Sequence, residues 1–239
     1  MMDSMAKILT EVSRLLLEDL PNSLHPHVAD AEAKESAEPK ALAVVKAGPA
    51  LPVCELRAEL LKDHRNLTFD PDTANKYLQL STQNQKAKHT RSPDGQCQAH
   101  ADRFELWQVM GSQSYSEGHH YWEVRISSHS VIIGVTYKKI QRKKQAGHKF
   151  SIGLDESSWG LQIREDCYLA WHRGQSHKII EPLYRCLGVS LDYGTGVLLF
   201  YGIGNEMKSL NSFHCVFTEP LYPVFWLCEG RVVTLCQQN

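Results

Sequence analysis

Residues 121–137 hold two short runs that suit a buried sheet and little else. In Tyr121-Trp122-Glu123-Val124-Arg125-Ile126 the residues Trp122, Val124 and Ile126 alternate with Tyr121, Glu123 and Arg125. Alternate side chains of a strand point to opposite faces, so one face is apolar. Gly118 closes the polar run Ser112–Glu117 ahead of it. The second run, Val131–Tyr137, follows the polar link Ser127–Ser130 and is heavy in β-branched residues. Such residues fit a pleated, packed surface, and two runs so joined predict a hairpin.

The pattern repeats downstream of Leu67. Runs at Lys76–Leu80, Phe104–Val109, Trp159–Ile163, Tyr168–Trp171, Leu187–Leu191, Val197–Tyr201, Phe213–Phe217, Tyr222–Leu227 and Val232–Cys236 read as further strands. Turn residues such as Asp155-Glu156-Ser157-Ser158 and Arg173-Gly174 separate them, and no long helical period intervenes. The fold class predicted is all-β, an antiparallel sandwich or barrel spanning 67–239. Short helices and a linker precede it. From Met5 to Leu20 the apolar residues Met5, Ile8, Val12 and Leu15 recur at helical spacing. That helix, within 1–20, is either the C-terminal part of a coiled coil or a docked helix. Residues 21–52 are rich in Ala, Pro, Glu and Lys and hold no aromatic side chain, which predicts a flexible linker. A second helix is expected over 53–65, stopped by Asn66, as the N-terminal part of a domain spanning 53–239.

Composition narrows the class of function. Lys and Arg number 26 against 27 Asp and Glu, so overall charge argues neither for nor against nucleic acid and only local clusters inform. The 7 cysteines include no C-x-x-C pair, so a zinc finger or RING is not expected in this chain. The thiols are expected to be reduced, in a soluble cytoplasmic protein. No apolar run approaches the roughly 18 residues of a membrane span.

Few residues suggest catalysis. Glu123 and Asp192 are the tempting carboxylates, but one is flanked by core residues and the other opens a turn, where backbone-bonded acids are common. His119 and His120 are adjacent and point opposite ways in a strand, so they cannot share one ion. Cys97 and His100 have ligand-like spacing without a second pair. The informative feature is Lys138–Lys149, with six Lys or Arg and no acid directly after a strand. A second basic stretch, Lys86–Arg91, reads as another loop. Loops on a rigid sandwich are where recognition tends to sit.

Three ordered signatures resemble the PRY-SPRY domain, the C-terminal module of many tripartite-motif ubiquitin ligases. Phe69-Asp70-Pro71-Asp72-Thr73-Ala74 is similar to the PRY opening, Trp122-Glu123-Val124-Arg125 to the central strand motif, and Leu191-Asp192-Tyr193-Gly194 to a later one. Pro223-Val224-Phe225-Trp226 fits the end. The resemblance implies a sandwich of two antiparallel sheets with no catalysis or cofactor of its own. It also implies a longer RING-type E3 ubiquitin ligase, homodimeric through its coiled coil, with zinc confined to a RING and B-box outside this chain. Arg65–Pro71, Phe104–Val109 and Gly118–Arg125 resemble one family member in particular. That likeness implies a protein partner in innate antiviral immunity, a RIG-I-like helicase that senses long double-stranded RNA, favoured in its filament form.

The contacts expected on this reading are Arg142, Lys143 and Lys144, with Tyr137, Lys138, Arg103 and Arg173 beside them. Trp171 reads as a core residue, with an exposed anchor as its second reading. The rival function is an RNA-binding module acting through the basic loops. The aromatic interleaving of a single-strand platform is missing from Lys138–Lys149, which counts against it.

Overall fold

The structure is a computed structural model that describes residues 53–93, 100–143 and 151–238. The expected helix in 1–20 and linker 21–52 lie outside the described residues. Among the described residues the strands form two antiparallel sheets. The seven-stranded sheet has β1 (Leu78–Ser81), β2 (Lys86–His89), β4 (His119–Ile126), β9 (Cys186–Asp192), β10 (Val197–Ile203), β11 (Met207–His214) and β13 (Val232–Leu235), in the order β1-β2-β13-β4-β9-β10-β11. The six-stranded sheet has β3 (Gln108–Met110), β5 (Val131–Tyr137), β6 (Ser158–Ile163), β7 (Tyr168–His172), β8 (Gln175–Ile179) and β12 (Leu221–Leu227), in the order β3-β12-β5-β6-β7-β8.

The core follows from alternation. Trp122 and Val124 on β4, Val189 on β9 and Phe200 on β10 meet Ile133 on β5, Leu161 on β6 and Phe225 on β12, all essentially without exposure. The hairpin expected at Tyr121–Tyr137 instead spans the sandwich: β4 belongs to one sheet and β5 to the other.

Several boundaries differ from expectation. The helix, α1, is Val53–Leu61, four residues short of Arg65, because His64 and Arg65 turn to bridge Tyr121 of β4. β2 and β8 were not expected. In Lys86-Ala87-Lys88-His89 only Ala87 and His89 turn inward, and β8 is polar and almost wholly exposed. Their weak apolar signal hides a period of two. β11 covers Met207–His214 and not Phe213–Phe217, the latter part being the connection to β12.

α1 packs Leu56, Leu60 and Leu61 over Tyr121, Tyr201 and Met207 on the outer face of the seven-stranded sheet. Beneath it Arg57 makes a two-pronged bond to Glu123, at 2.7 and 2.8 Å, and the Tyr121 hydroxyl donates to the same carboxylate at 2.9 Å. Burial alone would raise the Glu123 carboxyl. The bonds from Arg57 and Tyr121 outweigh it and hold the group below its ordinary value. Glu123→Ala leaves the fully buried Tyr121 hydroxyl without its acceptor. A loss of about 2–3 kcal/mol in chemical denaturation is expected, because the guanidinium partner keeps access to water. A variant as stable as the parent would contradict the account of this contact.

Acid should weaken the same fold. Burial is the largest cause that pushes His64, His89, His120 and His172 below the ordinary value of 6.5. Each therefore favours the folded state fully above pH 6.5 and loses that contribution as pH falls through its folded pKa. Glu123, also depressed, adds a loss at lower pH. The melting temperature at about pH 5.5 should lie several degrees below that at about pH 7.5; an equal or higher value would refute this.

Candidate recognition groove

The edge strand β3 is covered by the segment 69–75. Phe69 bridges Gly111, the Asp70 amide donates to the Met110 carbonyl at 2.8 Å, and the Asn75 amide donates to the Gln108 carbonyl at 2.9 Å. Asp70 organises the turn that follows by accepting the Asp72 amide on Oδ1. Asn75, itself buried, donates from Nδ2 to the carbonyls of Phe104 and Glu105 at 3.1 and 2.9 Å. The 71–76 and 100–106 segments are thereby tied together.

The described part of the basic stretch after β5, residues 138–143, completes the groove and packs against the fold through Ile140 and Arg142. Ile140 is buried, and the Arg142 guanidinium lies 4.3 Å from the Phe104 ring centroid, donating to Met110 Sδ and to the Lys138 carbonyl. Burial pushes Arg142 below its ordinary value, with Asp102 and Asp70 opposing. Its carbonyl accepts the Glu105 amide at 2.9 Å. Arg142 is thus a bracket that holds the loop against β3. Lys143 stays exposed and donates to the Arg103 carbonyl at 2.8 Å. Arg103 in turn donates to the carbonyls of Ala74 and Pro71.

Asn75, Lys76, Arg103, Phe104, Glu105 and Lys143 line an open groove of about 360 Å³. Of the expected contacts, the fold brings together Arg103, Arg142 and Lys143 here. Lys138 is exposed at the start of the loop, and Lys144 lies outside the described residues. Tyr137 is a correction: its ring packs on Trp159, and its hydroxyl accepts the Thr218 amide at 3.0 Å, so the side chain has no surface to offer. Arg173 is exposed in the β7–β8 turn, with φ of 53°, and does not line the groove. Trp171 sits half-buried outside the core cluster, donating from Nε1 to Gln162. Sequence alone does not mark Lys76 and Phe104 as site residues: each reads as the start of a strand, and nothing local says that Phe104 folds under Arg142.

The carboxylates weighed for catalysis have structural bonds. Glu123 is held under α1, and Asp192 accepts the Thr195 amide and pairs with His119 at 2.9 Å. The groove offers cations, one carboxylate and backbone groups around a mostly covered aromatic ring. That arrangement presents positive charge and backbone hydrogen-bonding groups at one rim; no nucleophile with an adjacent base lines it. Among the described residues no helix is long and apolar enough to cross a membrane.

Comparison with known proteins agrees with this architecture. The family described as "SPRY domain" matches residues 119–238, and "SPRY-associated domain" matches 67–115. E3 ubiquitin-protein ligase TRIM65 of Mus musculus is 45% identical over 97% of this chain and 43% of its own length. The chain therefore spans less than half the length of that relative. The crystal structure of the TRIM65 PSpry domain superposes with a TM-score of 0.74 at 46% identity, covering 80% of this chain and 100% of that one. The stonustoxin structure matches 75% of this chain and 28% of its own, with a TM-score of 0.67 at 34% identity.

Proposed function

Because the chain belongs to the PRY-SPRY family, we propose that it is the substrate-recognising module of a tripartite-motif E3 ubiquitin ligase. The likeness to the TRIM65 ligase over nearly the whole chain supports this. Fold alone would not, since stonustoxin shares it. The observation that carries the reading is the groove: Lys76, Arg103 and Lys143 ring a preformed recess held by Asn75 and Arg142. A rigid recess with a cationic rim suits a folded acidic surface.

The partner proposed is a RIG-I-like RNA-sensing helicase in the cytoplasm, modified by a RING supplied elsewhere in the ligase. Dimerisation through a coiled coil would let two modules engage neighbouring subunits of a helicase filament. Such linkage raises apparent affinity only when epitopes repeat within reach of the linkers. Surface plasmon resonance with immobilised helicase, as monomer and as filament, tests this. The full chain should dissociate from the filament at least about tenfold more slowly. No binding to either form would remove the helicase, and equal dissociation would remove the avidity.

The RNA-binding alternative is disfavoured by the groove. Its aromatic ring is covered by Arg142 and cannot stack on a base.

A further inference from the structure

α1 covers only part of the outer face of the seven-stranded sheet, over β4, β10 and β11. Beside it, on β1, β2 and the Arg125 end of β4, Gln79, Ser81, Lys86, Lys88 and Arg125 are exposed. Register places the cations together. Lys86 stands opposite Thr234 on β13, and Thr234 stands opposite Arg125 on β4. Lys86 and Arg125 are therefore two strand spacings apart, about 10 Å, on one face. Lys88 follows Lys86 by two residues, about 6.8 Å along the strand.

Among the described residues, the three share with Lys76 and Lys143 of the groove the lack of an ion-pair partner that other exposed cations have. Lys62, Arg91, Lys139, Lys178 and Lys208 each have a carboxylate within ion-pair range. Lys86, Lys88 and Arg125 have none among the described residues. On a chain of net charge −1, this is a local concentration of uncompensated charge and not a general basicity.

We propose that this open half of the sheet is a second docking surface, which takes the acidic face of a helix presented by a protein partner. Carboxylates at i and i+4 of a helix rise about 6 Å apart, close to the Lys86–Lys88 separation. The four strands β1, β2, β13 and β4 span about 14 Å, enough for one helix of about 10 Å diameter to lie beside α1. Thr234 supplies hydrogen bonds between the cations, and Gln79 and Ser81 supply them beside Lys88 and Lys86. A nucleic-acid backbone fits less well: three phosphate contacts give weak binding, and no exposed aromatic ring lies between them to hold a base. This surface is on the sheet opposite the one whose edge carries the groove, so the two can be occupied independently.

The test is an amide NMR titration of the full chain with an alanine-based helical peptide bearing glutamates at i and i+4, at low salt. Shifts are expected at Lys86, Lys88, Arg125 and Thr234. The variant Lys86→Gln/Lys88→Gln/Arg125→Gln should bind about tenfold more weakly or worse, with an unchanged melt. Should that melt fall, Lys86→Gln/Lys88→Gln, which leaves β4 untouched, is read instead. The variant Lys76→Glu/Lys143→Glu should bind the peptide like the parent, which separates this surface from the groove. Shifts confined to the groove, equal binding by the substituted surface, or a short RNA duplex bound more tightly than the peptide at the same amides would each overturn the proposal.

Discussion

Gly134→Val is expected to remove much of the chain's folding stability. Gly134 lies mid-strand in β5, opposite Gly160 of β6. A Cβ placed there would meet the Trp159 carbonyl oxygen at 2.1 Å and the Gly160 Cα at 3.0 Å. Both are backbone atoms of a paired strand. No side-chain rotation can relieve the contact, so β6 would have to part from β5. Overpacking usually costs about 1–3 kcal/mol, and a backbone clash in a central strand belongs at or beyond the upper end. Against a typical total of about 5–15 kcal/mol, the melting temperature should fall by about 6–12 °C or the chain should fail to accumulate. Gly194→Ala is the control. Its Cβ meets only the Asp192 side chain, at 3.7 Å, and its melt should match the parent's. A normal melt for Gly134→Val would mean that β5 and β6 are not paired in this register.

The strongly patterned strands were legible because burial leaves a trace at a period of two. Trp122, Val124, Ile133 and Phe225 announce themselves by their neighbours, and the family signatures sit on the same segments. Edge strands leave less. β8, which only β7 adjoins, offers just Ile179 to the core, and β2 buries just Ala87 and His89. The groove was half legible. A basic run after a strand pointed to Arg142 and Lys143 but not to their different roles, because charge does not reveal that a guanidinium will cover a ring. Tyr137 failed for a related reason: its position at the end of β5 placed it beside the loop, while the strand's alternation turned it inward. The Lys86–Arg91 stretch is basic and reads as a loop, whereas Lys86–His89 forms β2. Its placement on a sheet face depends on pairing with β13, which follows it by more than a hundred residues in the sequence.

Reversing the two exposed groove cations should reduce recognition strongly without harming the fold. Lys76 and Lys143 are exposed, and neither forms an ion pair with a carboxylate among the described residues. Lys143 gives up one hydrogen bond, to the Arg103 carbonyl, when replaced. Arg142 and Arg103 are unsuitable for this purpose, because their guanidinium groups hold the loops in place. Single exposed charge pairs are worth about 1 kcal/mol or less, so one substitution would decide little. Two reversals replace attraction by repulsion at one rim and act on orientation during encounter, where steering changes rates by about tenfold or more.

The decisive measurement is the association rate of Lys76→Glu/Lys143→Glu with the helicase filament at low salt, beside that of the parent chain. Recognition through the groove predicts association slowed by about tenfold or more, with dissociation little altered and the melt unchanged. An association rate equal to the parent's, in a variant that is folded, would contradict recognition at this groove.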